Sequence, residues 1–339
     1  MSPIGITYER GDLSMGKTIQ VAKDRAVDQS KTVLPAELAR GVYIQNPPGA
    51  QALKLMHLMI STAGGRMADD VQHQFRLSDI RKIAGMKNHD RASLEPLFIE
   101  LATTVLVHDD TERKRLTIGG LLDVAQVDYR DEISGDLLVT WYFGRMFRRM
   151  AEDSNHWAIL DRQTVFALSS KYAILLFQYV ASLANLQRVH SKAFSIPELR
   201  AMLGVPADKL DRFADLNRRA VQAAIDEINQ ISRLTLTATP VKVGRTVAAV
   251  NISWAVKGAD DTGAAARELK GHSAGRKARR SGAVDAVPAS QDAILQALAD
   301  RLNAGRYVSP SEVSTAKAAA LLAADLVTAD VLRARGIAH

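Results

Sequence analysis

Gly11 to Thr18 read GDLSMGKT, a stretch that fits the phosphate-binding pattern G-x-x-x-x-G-K-[ST] at every position. In a working loop, backbone N–H groups bind phosphates, the lysine reaches the outer phosphates and the hydroxyl holds Mg²⁺ between a buried strand and a helix. The upstream MSPIGITYER is a poor strand because Gly5 interrupts its apolar run, and no later segment reads as a buried strand with an acidic Mg²⁺ ligand. We predict that this stretch is not a nucleotide site and keep a P-loop ATPase as the least favoured alternative.

Patterns of other catalytic residue types are also missing. The chain contains no cysteine, no nucleophile elbow G-x-S-x-G and no His-apolar-His pair of the kind used by metal-dependent DNA-nicking enzymes. Metal ligands on a helix are typically spaced i, i+4. No two histidines of the first half have this spacing; they are His57, His73, His89 and His108. The sequence therefore predicts no catalytic residues, no metal and no cofactor, and we do not expect an enzyme.

Composition favours an intracellular protein with a polyanionic partner. The 339 residues are enough for two domains and an appendage, and the absence of cysteine excludes disulfides. The chain begins without an apolar signal core, and its longest apolar stretches are too short and too polar to span a bilayer. We expect a cytoplasmic protein with no membrane partner. A net charge of +7 and a pI near 9.6 make nucleic acid a plausible partner.

An internal repeat organises the middle of the chain. FRLSDIRKIAGM, from Phe75 to Met86, matches FSIPELRAMLGV, from Phe194 to Val205, class for class at a constant offset of 119 residues. Each copy has the apolar spacing of a short helix and ends near a glycine, Gly85 or Gly204, that is able to adopt a left-handed conformation. We expect a turn after each glycine.

A second helix and a pair of strands follow each copy. SLEPLFIELATT from Ser93 and ADLNRRAVQAAIDEIN from Ala214 have helical spacing, with a turn eight residues longer in the second copy. The alternating runs TVLVHDDTERKRLTIGGLL and RLTLTATPVKVGRTVAAVNISW are typical of hairpins, the second turning around Gly244. A helix, a turn, a second helix and a hairpin, used twice, predict tandem winged-helix domains.

The predicted fold class is α+β and mainly helical, with two winged-helix domains whose wings are β-hairpins and a small C-terminal helical module. The interval between the copies is apolar and aromatic, and its Trp141, Phe143 and Phe147 are predicted to be core residues. The predicted organisation is a flexible leader at 1–48, winged-helix domain 1 at 49–135, winged-helix domain 2 with connector helices at 136–257, a basic flexible linker at 258–289 and the helical module at 290–339.

The second helix of domain 2 carries the residues best suited to reading bases. Stepping by 100° per residue places Ala220, Val221 and Ile225 on one face, and the polar residues point away from it. Arginine pairs with guanine and glutamine with adenine in the major groove, so Arg218, Arg219 and Gln222 are the candidate base-reading residues. Asn217 lies nearer the apolar face and is a weaker candidate. Candidate phosphate contacts in this domain are Lys209, Arg212, Lys242 and Arg245.

Domain 1 has its positive charge outside the second helix. We expect that helix to begin at an N-cap Ser93, with Pro96 tolerated in the first turn. Its outward face is poor in basic residues. The candidate phosphate contacts lie in the turn, at Lys87, Asn88, His89 and Arg91, and in the wing, at Arg113, Lys114 and Arg115. Domain 2 is therefore predicted to specify the DNA sequence and domain 1 to position the protein.

The second half of this pattern resembles the iteron-binding plasmid replication initiators, which are theta-type Rep proteins. The resemblance lies in Ser170-Lys171-Tyr172 before a long amphipathic helix, the Leu203-Gly204 pair that ends a short helix, and Glu227-Ile228-Asn229 at the end of the recognition helix. It extends over residues 50 to 256 and is less specific in the first half. The residues from Gly258 onward have no counterpart in it, and they could bind a host protein or a second chain or cap the fold.

The resemblance implies binding to double-stranded DNA at direct repeats of a plasmid origin and at the promoter of the protein's own gene. It also implies dimerisation through domain 1, autorepression, local melting of the origin, and recruitment of the host replication initiator and the replicative helicase. A winged-helix transcriptional repressor remains the nearer alternative, because the same domains would suit it. Tandem repeats beside the gene would favour an initiator, and a lone inverted pair would favour a repressor.

Overall fold

The structure is a computed structural model that describes residues 17–25, 28, 30–41, 43–45, 47–110, 114–130, 136–184, 186, 188–271, 273, 275–283, 291–305, 308 and 313–337. It divides into two compact units, Met1–Lys257 and Gly258–His339. No helix among these residues is long and apolar enough to cross a membrane.

The first half of the larger unit contains the following elements in chain order: α1 (Lys17–Asp24), β1 (Lys31–Pro35), a π-helical turn (Glu37–Gly41), β2 (Tyr43–Gln45), α2 (Ala50–Ala63), a 3₁₀ turn (Gly64–Arg66), β3 (His73–Arg76), α3 (Leu77–Arg81), α4 (Arg91–Ala102), β4 (Val105–Asp110), β5 (Arg115–Gly120), β6 (Leu122–Asp128) and β7 (Leu138–Phe143).

The second half of that unit continues with α5 (Arg145–Asp153), β8 (Trp157–Asp161), α6 (Arg162–Ala167), α7 (Lys171–Ala184), β9 (Ser191–Ser195), α8 (Ile196–Met202), α9 (Phe213–Leu216), a π-helical segment (Asn217–Gln222), α10 (Ala223–Ile231), β10 (Leu234–Val243) and β11 (Thr246–Val256). The backbone stays right-handed helical from α9 through α10, so these three segments form one helix, called α9–α10 below.

The two copies of the repeat fold as predicted at their first helices. α3 and α8 each follow a short strand, and Gly85 (φ +85°) and Gly204 (φ +60°) adopt the left-handed conformation that glycine tolerates best. Phe75 and Phe194, which head the two copies, pair in antiparallel sheets with Val139 of β7 and Val250 of β11. The corresponding residues therefore occupy corresponding places in two sheets of order β3-β7-β6 and β10-β11-β9.

This strand pairing corrects the wing of domain 1. The hairpin predicted from the sequence ran from Thr104 to Leu122, but the strand that pairs with β3 is β7, so the hairpin equivalent to β10–β11 is β6–β7. In domain 2 only Ser232 and Arg233 separate α10 from β10, whereas in domain 1 the β4–β5 hairpin is inserted at this place. Its base is closed where Leu121 N–H donates to the Thr104 carbonyl at 3.3 Å. Alternating apolar residues predict strands but not which strands pair, and this was the cause of the error.

The expected boundary after residue 135 cuts through this sheet. β7 belongs with β3 and β6, because both of its edges pair with domain 1 strands. Trp141 and Phe143 lie on β7 and Phe147 on α5, and all three side chains are buried. They are core residues, as predicted.

The expected flexible leader is wrong for the part that the structure describes. α1 packs in the larger unit with Ile19 and Ala22 buried. β1 pairs along its whole length with β8, from Lys31 opposite Asp161 to Pro35 opposite Trp157. This pairing joins residues more than 100 positions apart, so local composition gave no sign of it.

The smaller unit contains α11 (Ala259–Lys270), α12 (Arg276–Arg280), α13 (Gln291–Asn303), α14 (Thr315–Ala323) and α15 (Ala329–Ala334). α11 and α12 lie where a flexible linker was expected. They are joined by Glu268, whose buried carboxylate pairs with Arg279 at 2.7 Å and Arg276 at 3.5 Å. The basic residues of this segment are therefore partly used inside the fold. α13 to α15 share a core that includes Leu298, Leu321 and Leu332.

Candidate nucleic-acid interface

The α9–α10 helix presents the predicted base-reading residues as an exposed row. Arg218, Arg219 and Gln222 are exposed, with side chains of the two arginines 71% and 64% accessible. Asn217 is half-buried, consistent with its place nearer the apolar face. The opposite face is buried, with the side chains of Ala220, Val221, Ala224, Ile225 and Ile228 in the core. The face predicted from helical periodicity is thus the exposed face, and its role in base reading stays a prediction.

Acidic neighbours pair with this row. Asp215 accepts from Arg218 at 3.0 Å and lies 3.8 Å from Arg219, and Asp226 accepts from the Gln222 amide at 2.9 Å. Exposed ion pairs of this kind contribute little stability and are readily exchanged for another anion. Both arginines therefore remain available to a phosphate or a guanine edge.

Glu227 anchors the recognition helix to the connector. Its buried carboxylate accepts from the Ser169 backbone N–H and hydroxyl, both at 2.6 Å, and from Ser170 N–H at 3.3 Å. These groups lie at the N-terminal end of α7, where a carboxylate also satisfies the helix dipole. The contact joins Ser170 of the Ser-Lys-Tyr segment to Glu227 of the Glu-Ile-Asn segment.

Asn229 fixes the helix relative to the wing. Its amide donates to the Leu236 carbonyl at 2.9 Å and accepts from Leu236 N–H at 2.7 Å, so the side chain pairs with β10 as a strand would. Lys257, at the end of the wing, donates to the carbonyls of Asn229 and, at 2.9 Å, Ser232. Recognition helix and wing are thereby held as one rigid body. Lys257 was not predicted, because nothing local in the sequence connects it to the helix.

Arg200 holds the turn before the recognition helix. Its guanidinium donates to the carbonyls of Pro206 at 2.9 Å, Lys209 at 2.6 Å and Leu210 at 2.8 Å. The candidate phosphate contacts Lys209 and Arg212 lie in and just after this turn, and both side chains are exposed. Arg81, the equivalent residue of the first copy, likewise donates to the carbonyl of His89 at 3.1 Å. The two arginines are aligned in the internal repeat, so the sequence could have predicted that they share a role.

The wing of domain 2 is a long two-stranded hairpin with a basic tip. Gly244 (φ +62°) occupies the turn between β10 and β11, as predicted. Lys242 and Arg245 are exposed on either side of it. A register shift after Val241 marks a β-bulge, which bends the tip relative to the sheet. The exposed cations suit contact with a DNA backbone.

In domain 1, α4 begins earlier than predicted. Asp90 and not Ser93 is the N-cap: its carboxylate accepts from Ser93 N–H at 2.9 Å, and the Ser93 hydroxyl accepts from Asp90 N–H at 2.8 Å. Arg91 is therefore the first residue of the helix, and Pro96 lies in the second turn. Proline cannot donate the helical hydrogen bond to the carbonyl four residues before it, which is that of Ala92. This loss is tolerated because Ala92 and Pro96 are both exposed.

The remaining domain 1 candidates do not form a single surface patch. Lys87 and Asn88 are exposed in the turn before α4, and His89 is half-buried. Lys114 and Arg115 are exposed on the inserted β4–β5 hairpin, with Lys114 in a left-handed conformation (φ +48°). Arg113 lies outside the described residues. The predicted contacts of domain 1 are thus divided between the recognition turn and a hairpin that has no counterpart in domain 2.

Only the end of the GDLSMGKT stretch falls within the described residues. The Thr18 hydroxyl, which a nucleotide site would use for Mg²⁺, is buried and donates to Ser154 Oγ at 2.9 Å and the His156 carbonyl at 2.9 Å. Lys17 is exposed. Gly11 to Gly16 lie outside the described part of the chain. Within that part, no group of three His, Asp or Glu residues is placed to hold a metal ion.

Comparisons with known proteins identify both domains. The family model "Initiator Replication protein, WH1" matches residues 42–181, and "Initiator Rep protein, WH2" matches residues 195–254. Comparison with curated proteins returned no match. Among solved structures, the Pi initiator protein in complex with iteron DNA matches with a TM-score of 0.49 and 16% identity over 68% of this chain and 98% of that one. Domains 2 and 3 of RctB match with a TM-score of 0.37 and 11% identity over 61% and 80% of the respective chains.

The matched residues cover the two repeats and the connector, in the order that the internal repeat predicts. The WH1 match extends to residue 181, beyond the expected boundary at 135 and in agreement with the pairing of β7. The α+β fold with tandem winged-helix domains is confirmed. The chain belongs to the family of initiator Rep proteins, DNA-binding proteins of plasmid replication with two winged-helix domains.

Proposed function

We propose that this protein initiates plasmid replication by binding direct repeats at an origin as double-stranded DNA, with domain 2 reading the sequence. The observation that carries the proposal is the exposed row of Arg218, Arg219 and Gln222 on a helix fixed by Glu227 and Asn229. Base reading requires such rigidity, because a bidentate pair discriminates between bases only when the side chain starts from a defined position.

The finer activities follow from the family. Bound to the repeats, the protein melts the adjacent origin DNA and recruits the host replication initiator and the replicative helicase in the cytoplasm. It represses its own gene as a dimer formed through domain 1. The exposed apolar side chains of Leu116 and Ile118 on β5, an edge strand of the described β2-β4-β5 sheet, support a protein contact in this domain. The protein acts by binding and not by catalysis.

The test is binding of the full chain to the DNA upstream of its own gene and to random DNA of equal length, by fluorescence anisotropy across a salt series. We expect strong preference for its own DNA and a ladder of successive complexes as protein is added. Equal affinity and equal salt dependence on both DNAs would mean general electrostatic attraction only, and the proposal would fail.

A footprint on the same DNA separates the initiator from a repressor. Several protected repeats in the same orientation, spaced by about one or two helical turns, are expected of the initiator. A single protected inverted pair would instead identify a transcriptional repressor.

A further inference from the structure

Domain 1 carries two hairpins, and only one of them lies beside its recognition helix. β6 leads from the C-terminal end of α4 back towards its N-terminal end, where Tyr129 follows the strand. The guanidinium carbon of Arg91, the first residue of α4, lies 4.4 Å from the centre of the Tyr129 ring. The hairpin that topology identifies as the wing is therefore in contact with the start of the recognition helix.

The geometry of this pair leaves Arg91 ready for a ligand. Arg91 and Tyr129 are both exposed, and within the described residues no carboxylate pairs with Arg91. When an arginine lies over the face of an aromatic ring, the N–H groups in its guanidinium plane remain free to bind a phosphate in a bidentate manner. Stacking also restricts the rotamers of a long side chain, so less conformational entropy is lost when the phosphate binds.

The surroundings fit a DNA backbone and not a base edge. Lys87 and Asn88 are exposed in the turn immediately before Asp90 and Arg91. The other exposed positions of α4 are Ala92, Glu95, Pro96, Ile99 and Ala102, and none of their side chains donates a hydrogen bond to a base. Nearby Asp128 would repel DNA, but Arg130 binds its carboxylate and holds the pKa of Asp128 at about 2, so the charge is paired.

We propose that Tyr129, on the β6–β7 wing, is a positioning residue that holds Arg91 for contact with a DNA phosphate, and that this pair is the backbone clamp of domain 1. The inference rests on the proposed function and adds the surface by which domain 1 meets DNA. The β4–β5 hairpin packs instead along α5, where a Cβ on Gly119 would come within 2.7 Å of Met146 Cβ. Its Lys114 and Arg115 are therefore not expected to contribute to the clamp.

The experiment compares variants of the full chain for affinity to its own upstream DNA over a salt series. Arg91→Ala should weaken binding about three- to tenfold and lower the slope of log affinity against log salt by about one. Tyr129→Ala should weaken binding about two- to fivefold, whereas Tyr129→Phe, which keeps the ring face, should stay within about twofold of the wild type. Arg66→Ala, which removes an exposed arginine of the same unit that is paired with Asp69, is the matched control and should keep both affinity and salt slope.

The decisive measurement is the combination of Arg91→Ala with Tyr129→Ala. If Tyr129 acts through Arg91, the combination binds no more weakly than Arg91→Ala alone. Additive losses, or an unchanged affinity of Tyr129→Ala, would overturn the inference. So would a reduced salt slope in the Arg66→Ala control with an unchanged slope in Arg91→Ala. Equal thermal unfolding midpoints exclude a folding defect. If Tyr129→Ala does not fold, Tyr129→Leu, which keeps the bulk but removes the ring face, provides the test and should show the same two- to fivefold loss.

The two proposals fail in different ways. A wild-type protein without preference for its own DNA contradicts the proposed function. A wild-type protein with that preference, whose affinity survives Arg91→Ala and Tyr129→Ala unchanged, contradicts only the clamp.

Discussion

The Arg200 guanidinium donates to the carbonyl of Leu210 at 2.8 Å, and Leu210 has a left-handed backbone with φ +55°. A left-handed conformation is unfavourable for a side chain branched like leucine, so the turn needs an external constraint. Arg200 supplies that constraint, since it also binds the carbonyls of Pro206, Ala207 and Lys209 in the same turn. Arg200 thereby braces the turn that leads into the recognition helix.

Arg200→Gln should therefore destabilise the turn and weaken DNA binding without removing a DNA contact. We expect a loss of about 2 kcal/mol in the free energy of unfolding, because several carbonyls lose a charged donor. Urea unfolding followed by tryptophan fluorescence measures it, since Trp141, Trp157 and Trp254 all lie in the larger unit. Arg66→Gln, which removes an exposed ion pair with Asp69 in the same unit, is the control and should change stability by less than about 0.5 kcal/mol. Equal stability of the two variants would contradict the role of Arg200.

Arg218→Ala and Arg219→Ala should each cost about 1 to 3 kcal/mol on the protein's own DNA and relax discrimination at one base position. Lys242→Ala and Arg245→Ala should weaken binding to all sequences similarly, because phosphate contacts carry no direct sequence information. Anisotropy with single-base variants of the site measures both effects. Losses of equal size on specific and random DNA in both sets would remove the division between reading and positioning residues.

Glu227→Gln should destabilise the junction between the recognition helix and α7. The variant keeps one acceptor but loses the charge that binds Ser169 and Ser170 N–H groups at a helix start, and we expect a cost of about 1 to 3 kcal/mol. Ser169→Ala and the double variant complete a thermodynamic cycle by urea unfolding. A coupling energy near zero would show that the two residues do not stabilise each other.

His57 should make the larger unit sensitive to acid. The side chain is fully buried, and burial lowers its pKa from 6.5 to about 4, with the adjacent Gln178 offsetting part of the shift. His57 takes up its proton at a higher pH in the unfolded chain than in the folded one. The contribution of the neutral, buried side chain to the free energy of unfolding is therefore complete above about pH 6.5. It falls as the pH drops through the window from about 6.5 to 4, by up to about 3 kcal/mol.

The measurement is the free energy of unfolding from pH 7 to pH 4 for the wild type and for His57→Gln. The variant lacks the titrating group, so its curve should fall less steeply through the same window. Parallel curves would show that another group determines the acid sensitivity.

Thr18→Val and Lys17→Ala distinguish a structural from a nucleotide-binding role for GDLSMGKT. Thr18→Val removes a buried hydroxyl bonded to Ser154 and His156 and should cost about 1 to 2 kcal/mol of stability. Lys17→Ala changes an exposed side chain and should leave stability and DNA binding unaltered. Both are measured by urea unfolding and anisotropy, with and without ATP. ATP-dependent DNA binding that is lost in Lys17→Ala would restore the nucleotide-binding interpretation.

The sequence alone was sufficient for the buried face of the recognition helix and for the turns of the repeat. The spacing of Ala220, Val221, Ala224 and Ile225 identified the buried face of the recognition helix, and Gly85, Gly204 and Gly244 identified turns because their conformations are unfavourable for other residues. The repeat from Phe75 and Phe194 predicted two domains of one fold.

Features that depend on contacts between distant residues were decided only by the tertiary structure. The pairing of β1 with β8 makes part of the expected leader a strand of the larger unit. The pairing of β3 with β7 identifies β6–β7, and not β4–β5, as the wing of domain 1. Arg91 and Tyr129 are 38 positions apart, and their contact follows from that second pairing. A strand's alternation fixes which face is buried but not its partner, since backbone hydrogen bonds are the same for every sequence.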